Sequence, residues 1–405
     1  MSGFTKHMYT KELESFKINF SNYVKKISLV LPKEYDLETI VSLIKRYYPF
    51  EWQILNEKYK YYCAKDKKLK VLGKKVRFAM MEPILLVESL DITKKLLSKE
   101  YIDSYRNSFI IEVKILAEDD FKKERDPKIR KRQEKITKAK IKAQEVEPLF
   151  LDELMGLYDR KSTSQKDRIY ILKELQKYYC TKVIDFFKRK VESEYNRQLR
   201  EMAFYHLQEL GHLAVLRKQK YMRIPSKNKK RREILRNVYA NERFNIKEIP
   251  EELEYRIQNS KEQKIKTYDY FISHSSADFK EIQHLIVELN KSKRNVYCDW
   301  VNDNDYLKRN LVGLATRTVI EKRIEQSKAI IFVKSEHSMQ SLWVKYELNY
   351  ALELNKPIYE IKKKDILNGS YSTEKIIDLW FLEKEYKNII LFENQLKNEN
   401  RNVAN

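Results

Sequence analysis

Short apolar runs alternate with helical patterns through the last third of the chain. This alternation limits the fold more than any other feature of the sequence. YDYFI (268–272), NVYCDW (295–300), AIIFV (329–333) and PIYEI (357–361) have strand length, and helical patterns begin between them at Asp278, near Leu314 and at Leu342. Strands separated by helices build βαβ units and a parallel sheet. After the first run, Phe279, Ile282, Leu285, Ile286 and Leu289 recur at helical spacing. Asp278 stands where an acid suits the positive end of that helix.

Upstream the pattern is mostly helical. Only 6 Gly and 8 Pro occur in 405 residues, against 28 Tyr and 17 Phe, which favours long helices over a many-turned sandwich or barrel. Asp36 is placed to cap a helix over DLETIVSLIKRYY that Pro49 stops. Ser164 opens a helical region running towards Gly211, with Ile169, Leu172, Leu175 and Tyr179 on one side. KLKVLGKKVRF (68–78) reads as a small hairpin around Gly73, and FIIEVKIL (109–116) as a strand or a buried helix. The expected organisation is a basic, mostly helical region over 1–255, itself divided near 120–160. A polar linker at 256–266 and an α/β domain over 267–405 follow.

Charge separates the parts. The net charge is +23, yet 268–405 carries 21 Lys and Arg against 20 Asp and Glu, so nearly the whole excess lies upstream. With 42% hydrophobic residues the chain reads as globular despite its 35% charged residues. Basic clusters at 121–142 and 216–236, the second with Tyr221 and Pro225, suit a nucleic-acid phosphate backbone or an acidic protein such as a phage component. Interspersed Glu residues equally fit the first to a solvated helix face. Cys63, Cys180 and Cys298 are too scattered for a disulfide framework or a zinc site, and they suit a reducing cytosol. The six histidines have no convincing ligand spacing, so no metal is expected. No signal region and no membrane-length apolar run is visible, so a soluble cytoplasmic protein is expected.

The loops after the strands carry the candidate chemistry, because ligands of open parallel sheets bind beyond the carboxyl ends of the strands. SHSSAD (273–278) offers hydroxyls and backbone N–H groups before a helix, suited to a phosphate or to ordinary capping. DWVNDNDYLKRN (299–310) is long enough for a lid over a site. In QSLWVKYELNYA (340–351), Trp343 and Glu347 are four apart and share a helix face, with Tyr350 on a neighbouring stripe and Leu348, Ala351 and Leu352 towards the core. An indole beside a carboxylate suits a flat cationic ring attached to a sugar. A half-buried Trp on an exposed helix explains the spacing as well.

Taken together, YDYFISHSSAD, NVYCDW and SLWVKYEL resemble the conserved boxes of TIR (Toll/interleukin-1 receptor) domains, over about a third of the chain. The second box, DW-x-x-D, is similar to that of bacterial TIR proteins of phage defence. No family resemblance is recognised over residues 1–250. The resemblance implies a flavodoxin-like fold with a five-stranded parallel sheet, NAD+ as substrate and no cofactor. It implies that Glu347 is the essential catalytic acid and that Trp343 stacks on nicotinamide. It further implies that Phe271, Ile272, Ser273 and Ser275 line the pocket, and that Asp299, Trp300, Asp303, Tyr306 and Tyr350 complete it, with homo-oligomers as the active form.

The expected function is an NAD+ glycohydrolase of antiphage defence that depletes NAD+ once the N-terminal region senses a trigger. Two alternatives stand beside it. One is a cyclase making a cyclic ADP-ribose signal, against which the fused N-terminal 250 residues argue mildly. The other is a non-catalytic scaffold.

Overall fold

The protein is described by a computed structural model over residues 2–219, 222, 224, 226–308, 311, 313–369 and 374–376. It divides into two compact units. The first comprises 1–137 with 211–213, and the second 138–210 with 214–405. Among the described residues, no helix is long and apolar enough to cross a membrane.

The first unit is helical: α1 (Ser2–Ile27), α2 (Leu37–Tyr47), α3 (Pro49–Val71), α4 (Pro83–Glu88), α5 (Asp91–Leu96), α6 (Lys99–Ser108) and most of α7 (Ile111–Ile141). Asp36 caps α2 as expected, accepting from Thr39 N at 2.8 Å. Its core is rich in rings, with Tyr9 packed edge-on against both Tyr62 and Phe78.

Two sequence expectations fail in this unit. The hairpin at 68–78 does not form: α3 continues to Val71, and Gly73 ends it with φ +65°. The buried Asp66 carboxylate then fixes the following segment by accepting from the backbone N–H groups of Arg77, Phe78 and Ala79. FIIEVKIL is neither a strand nor a buried helix. It begins α7, with Ile111, Val113 and Leu116 exposed.

In the second unit, α8 (Phe150–Asp159), α9 (Gln165–Gln176), α10 (Thr181–Ser193) and α11 (Arg197–Glu209) enclose a core that includes Leu154, Leu172, Phe186 and Leu207. Ser164 caps α9, accepting from Asp167 N at 3.1 Å. The helical region is broken where Cys180 and Asn196 take extended backbone. Tyr179 therefore lies past the end of α9. The helix α12 (Lys229–Asn241) buries none of its residues. Tyr221 and Pro225 of the second basic cluster lie outside the described residues.

The stretch expected as a linker is folded. It forms α13 (Pro250–Asn259) and α14 (Lys261–Lys264). Leu253 and Ile257 are buried with Tyr170, Tyr306 and Val319. Burying two such side chains contributes about 3–6 kcal/mol.

The remainder alternates as the sequence implies: β1 (Tyr268–Ser273), α15 (Phe279–Lys291), β2 (Val296–Tyr297), α16 (Asp299–Asn302), α17 (Leu314–Glu325), β3 (Ser327–Lys334), α18 (Glu336–Gln340), α19 (Leu342–Glu353), β4 (Ile358–Lys362), α20 (Lys363–Ile366) and β5 (Glu374–Ile376). The strand order is β2-β1-β3-β4-β5. The first four strands run parallel, and β5 pairs antiparallel with β4, so the sheet expected to be wholly parallel has an antiparallel edge. At the other edge Gln144 caps β2. Its Nε2 donates to Val296 O at 2.6 Å and its Oε1 accepts from Val296 N at 3.4 Å. The amide satisfies backbone groups that an open edge leaves bare.

Candidate active site

The strand order reverses direction between β1 and β3, which is where ligands bind in doubly wound sheets. Ser273 is the last residue of β1. The chain leaving β3 runs through α18 into α19, which carries Glu347. Val344, Leu348 and Ala351 are buried on α19 at i, i+4 and i+7. Glu347, at i+3, falls on that same apolar stripe. The packing that seats the helix therefore also draws the carboxyl inward.

Ser273 Oγ donates to Glu347 Oε2 at 2.6 Å. Glu347 is 9% exposed and Ser273 fully buried. Burial pushes the Glu347 carboxyl well above its ordinary value, the serine bond pulls it down, and the Asp299 charge adds to the rise. A protonatable carboxyl held dry at a switch point is a candidate for chemistry.

The other expected site residues are distributed unevenly. Ser275 caps the turn before α15, accepting from Ala277 N at 3.3 Å. Asp278 caps nothing with its side chain. It is buried, accepts from Ser335 Oγ at 2.5 Å and pairs with Lys363 at 2.8 Å, tying the loop after β1 to those after β3 and β4. Asp299 and Trp300 lie on the short helix α16 instead of in a loop. Trp300 packs against Phe279 at 4.6 Å, which leaves Phe279 exposed and not in the core. Trp343 is half-buried, edge-on to Tyr346.

Five expected contact residues are occupied elsewhere. Phe271 stacks on Tyr297 on one side of the sheet, and Ile272 packs with Ile282 and Ile331 on the other. Both are core residues, so only the end of β1 reaches the site. Asp303 is fully buried and accepts from Arg323 Nε at 2.8 Å and Lys177 Nζ at 3.2 Å. These cations hold its carboxyl well below the ordinary range, so it is not free for a ligand. Tyr306 is buried with Leu253 and Val319. Tyr350 donates to Glu325 at 3.1 Å and stacks on Tyr346. Leu352, expected in the core, is exposed.

Two features escaped the sequence. A cavity of about 700 Å3 opens beyond β3 and β4, lined by Lys334, Ser335, Glu336, His337, Lys362, Lys363 and Lys364, of which Lys334 pairs with Glu360 and Lys363 with Asp278. Its excess of lysines over the single Glu336 suits phosphate groups. The only signal for it was the run Lys362–Lys364. The second feature is the grouping of His274 with Cys298 and Asp299. Residues 24 apart in sequence meet because Phe271 pairs with Tyr297 across β1 and β2.

The comparisons with known proteins agree with this architecture. A TIR domain family matches residues 271–386. Over 371 residues, 91% of this chain and 94% of the relative, the protein is 39% identical to the "Putative cyclic ADP-D-ribose synthase TIR2" of Cytobacillus dafuensis. It is 32% identical over 118 residues, 29% of this chain and 61% of the relative, to the "Probable 3' cyclic ADP-D-ribose synthase ThsB'" of Bacillus cereus (strain MSX-D12). No solved structure matches it. The chain belongs to the family of TIR-domain proteins.

Proposed function

We propose that the protein cleaves the nicotinamide–ribose bond of NAD+ with Glu347 as its catalytic residue, in bacterial antiphage defence. The observation carrying this reading is the buried carboxyl, hydrogen-bonded to Ser273 at the switch point of the sheet. When the bond breaks, its electron pair leaves with the nicotinamide nitrogen and positive charge develops on the ribose. A carboxylate in a dry site stabilises that charge far better than one in water. The cationic nicotinamide ring favours the ionised form of Glu347 as it enters, offsetting the effect of burial. Trp343 offers the ring a stacking face, and the lysine-lined cavity offers the diphosphate a cationic wall.

The ADP-ribosyl group is then captured by a nucleophile of its own, the adenine or a ribose hydroxyl, which gives up a proton if it is the hydroxyl, or by water. Cyclisation is the favoured fate. Both relatives carry cyclic ADP-D-ribose synthase in their names. The first matches across 94% of its length, so a long N-terminal region does not weigh against a signal-making enzyme. The basic upstream region serves as sensor for a nucleic acid or phage protein, and copies of the TIR domain assemble on activation.

Incubation of the purified protein with NAD+, followed by mass spectrometry, tests this. Nicotinamide and cyclic ADP-ribose in equal amounts are expected. Linear ADP-ribose alone points to hydrolysis and NAD+ depletion. No turnover in a demonstrably assembled form supports the scaffold reading instead.

A further inference from the structure

We propose that His274, Cys298 and Asp299 form a three-ligand site for Zn2+ at the open end of β1 and β2, and that an ion held there shuts off the chemistry at Glu347. The second half of this proposal rests on the function proposed above. The first half stands on geometry alone.

The three ligand atoms already form a near-equilateral triangle. His274 Nε2 lies 3.8 Å from Cys298 Sγ and 3.7 Å from Asp299 Oδ1, and Sγ lies 3.9 Å from Oδ1. A tetrahedral zinc ion with ordinary bond lengths separates N, S and O ligands by about 3.3–3.6 Å. Closing the triangle onto an ion therefore needs contractions of only about 0.1–0.6 Å per edge. The mixed nitrogen, sulfur and oxygen set suits zinc. Calcium and magnesium demand more oxygens than the triangle offers.

The surroundings also fit. His274 Nδ1 lies 2.9 Å from Ile272 O. A carbonyl only accepts, so Nδ1 carries a hydrogen and Nε2 is the nitrogen turned towards Cys298. A backbone carbonyl behind the imidazole is a common way of fixing a metal-binding histidine. Asp299 Oδ1 also accepts from Trp300 N at 2.8 Å, which orients the carboxylate and leaves lone pairs for an ion. Cys298 is fully buried and the His274 side chain nearly so, while the Asp299 side chain is 46% exposed and marks the route of entry. Binding replaces the thiol proton by the ion and releases it to solvent. Because binding displaces a proton, affinity rises with pH.

Three protein ligands leave a fourth position open. His274 directly follows Ser273, whose hydroxyl is bonded to Glu347, so the triangle and the buried carboxyl share the end of β1. A dication in the triangle reverses the sign of the local field there. It draws on the carboxylate that must otherwise face the developing sugar cation, and it repels the cationic nicotinamide ring.

The test uses the full, metal-stripped chain. Zn2+ alone is titrated calorimetrically in two buffers of different ionisation heat, and Co2+ is added as a spectroscopic probe for thiolate ligation. One ion per chain, proton release and a thiolate–cobalt band are expected. Cys298→Ser or His274→Gln should lose the band and weaken binding by more than the roughly 10–100-fold that loss of an outer-shell partner costs. Zn2+ should raise the melting temperature of the wild type and of neither variant, and the variants' own melting curves show that they are folded. Absent binding, or binding that both substitutions leave intact, overturns the site. In a separate arm, Zn2+ should suppress nicotinamide release by the wild type much more than by Cys298→Ser. Equal suppression, or stoichiometric binding without suppression, overturns the regulatory half. A protein without NAD+ turnover defeats the functional reading and the regulatory half together, while the titration still decides the site.

Discussion

Ser273 Oγ meets Glu347 Oε2 at 2.6 Å, joining the end of β1 to α19 across 74 residues of sequence. Both residues are shut away from bulk water. The pair anchors the proposed function, and its energetics are open to experiment.

Glu347 should cost the fold stability at neutral pH. Its folded-state carboxyl is raised above its unfolded value, so below pH about 4.5 it is protonated in both states and carries no penalty. As pH rises, the unfolded chain releases the proton first and the folded protein loses stability. Glu347→Gln removes this titration while keeping an acceptor for Ser273. The variant should melt above the wild type at pH 7.5, with the difference vanishing near pH 4. Equal melting temperatures at both pH values count against the buried-acid assignment.

The same shift sets the acid limb of the pH–rate profile. If the ionised carboxylate stabilises the sugar cation, kcat/KM for NAD+ should rise through an apparent pKa above the ordinary carboxylate range. A limb at about 4.3, the value of a solvated glutamate, contradicts this.

Ser273→Ala removes the hydrogen bond that lowers the Glu347 pKa. The acid limb should move to still higher pH, and kcat/KM should fall roughly 10–100-fold, matching about 1.5–3 kcal/mol for a bond to a charged group. An unmoved limb means that the serine merely packs.

Asp303 tests whether its ion pairs are structural. Asp303→Ala leaves Arg323 buried without its carboxylate, and Lys177 loses one of its partners. Removing one member of a buried pair costs about 3–5 kcal/mol. Denaturant unfolding should show such a loss, and a loss under about 1 kcal/mol refutes the structural role. The residue's neighbours in the same cluster also titrate unusually: burial lowers the Lys266 amine to about 7.

Much of the α/β domain was legible because two periodicities alternate in it. The apolar runs became β1 to β4, and Leu314 and Leu342 did begin helices. Glu347 was legible as a candidate from its motif, but its burial was not read. The spacing of Val344, Leu348 and Ala351 contains it, whereas the pairing with Trp343 equally fits an exposed helix. Asp303 looked like a loop acid because its partners Lys177 and Arg323 are distant in sequence. The hairpin at 68–78 fails for a local reason: α3 runs on to Val71, and Asp66 captures the backbone N–H groups of Arg77 and Phe78. The His274–Cys298 approach depends on strand register, which spacing along the chain does not carry.

The most direct measurement is nicotinamide release from NAD+ by the wild type and by Glu347→Gln, side by side, under conditions where the wild type turns over and both are shown to be folded. Turnover should fall by several orders of magnitude in the variant, with NAD+ binding retained. Comparable release by the two proteins would remove Glu347 from the chemistry.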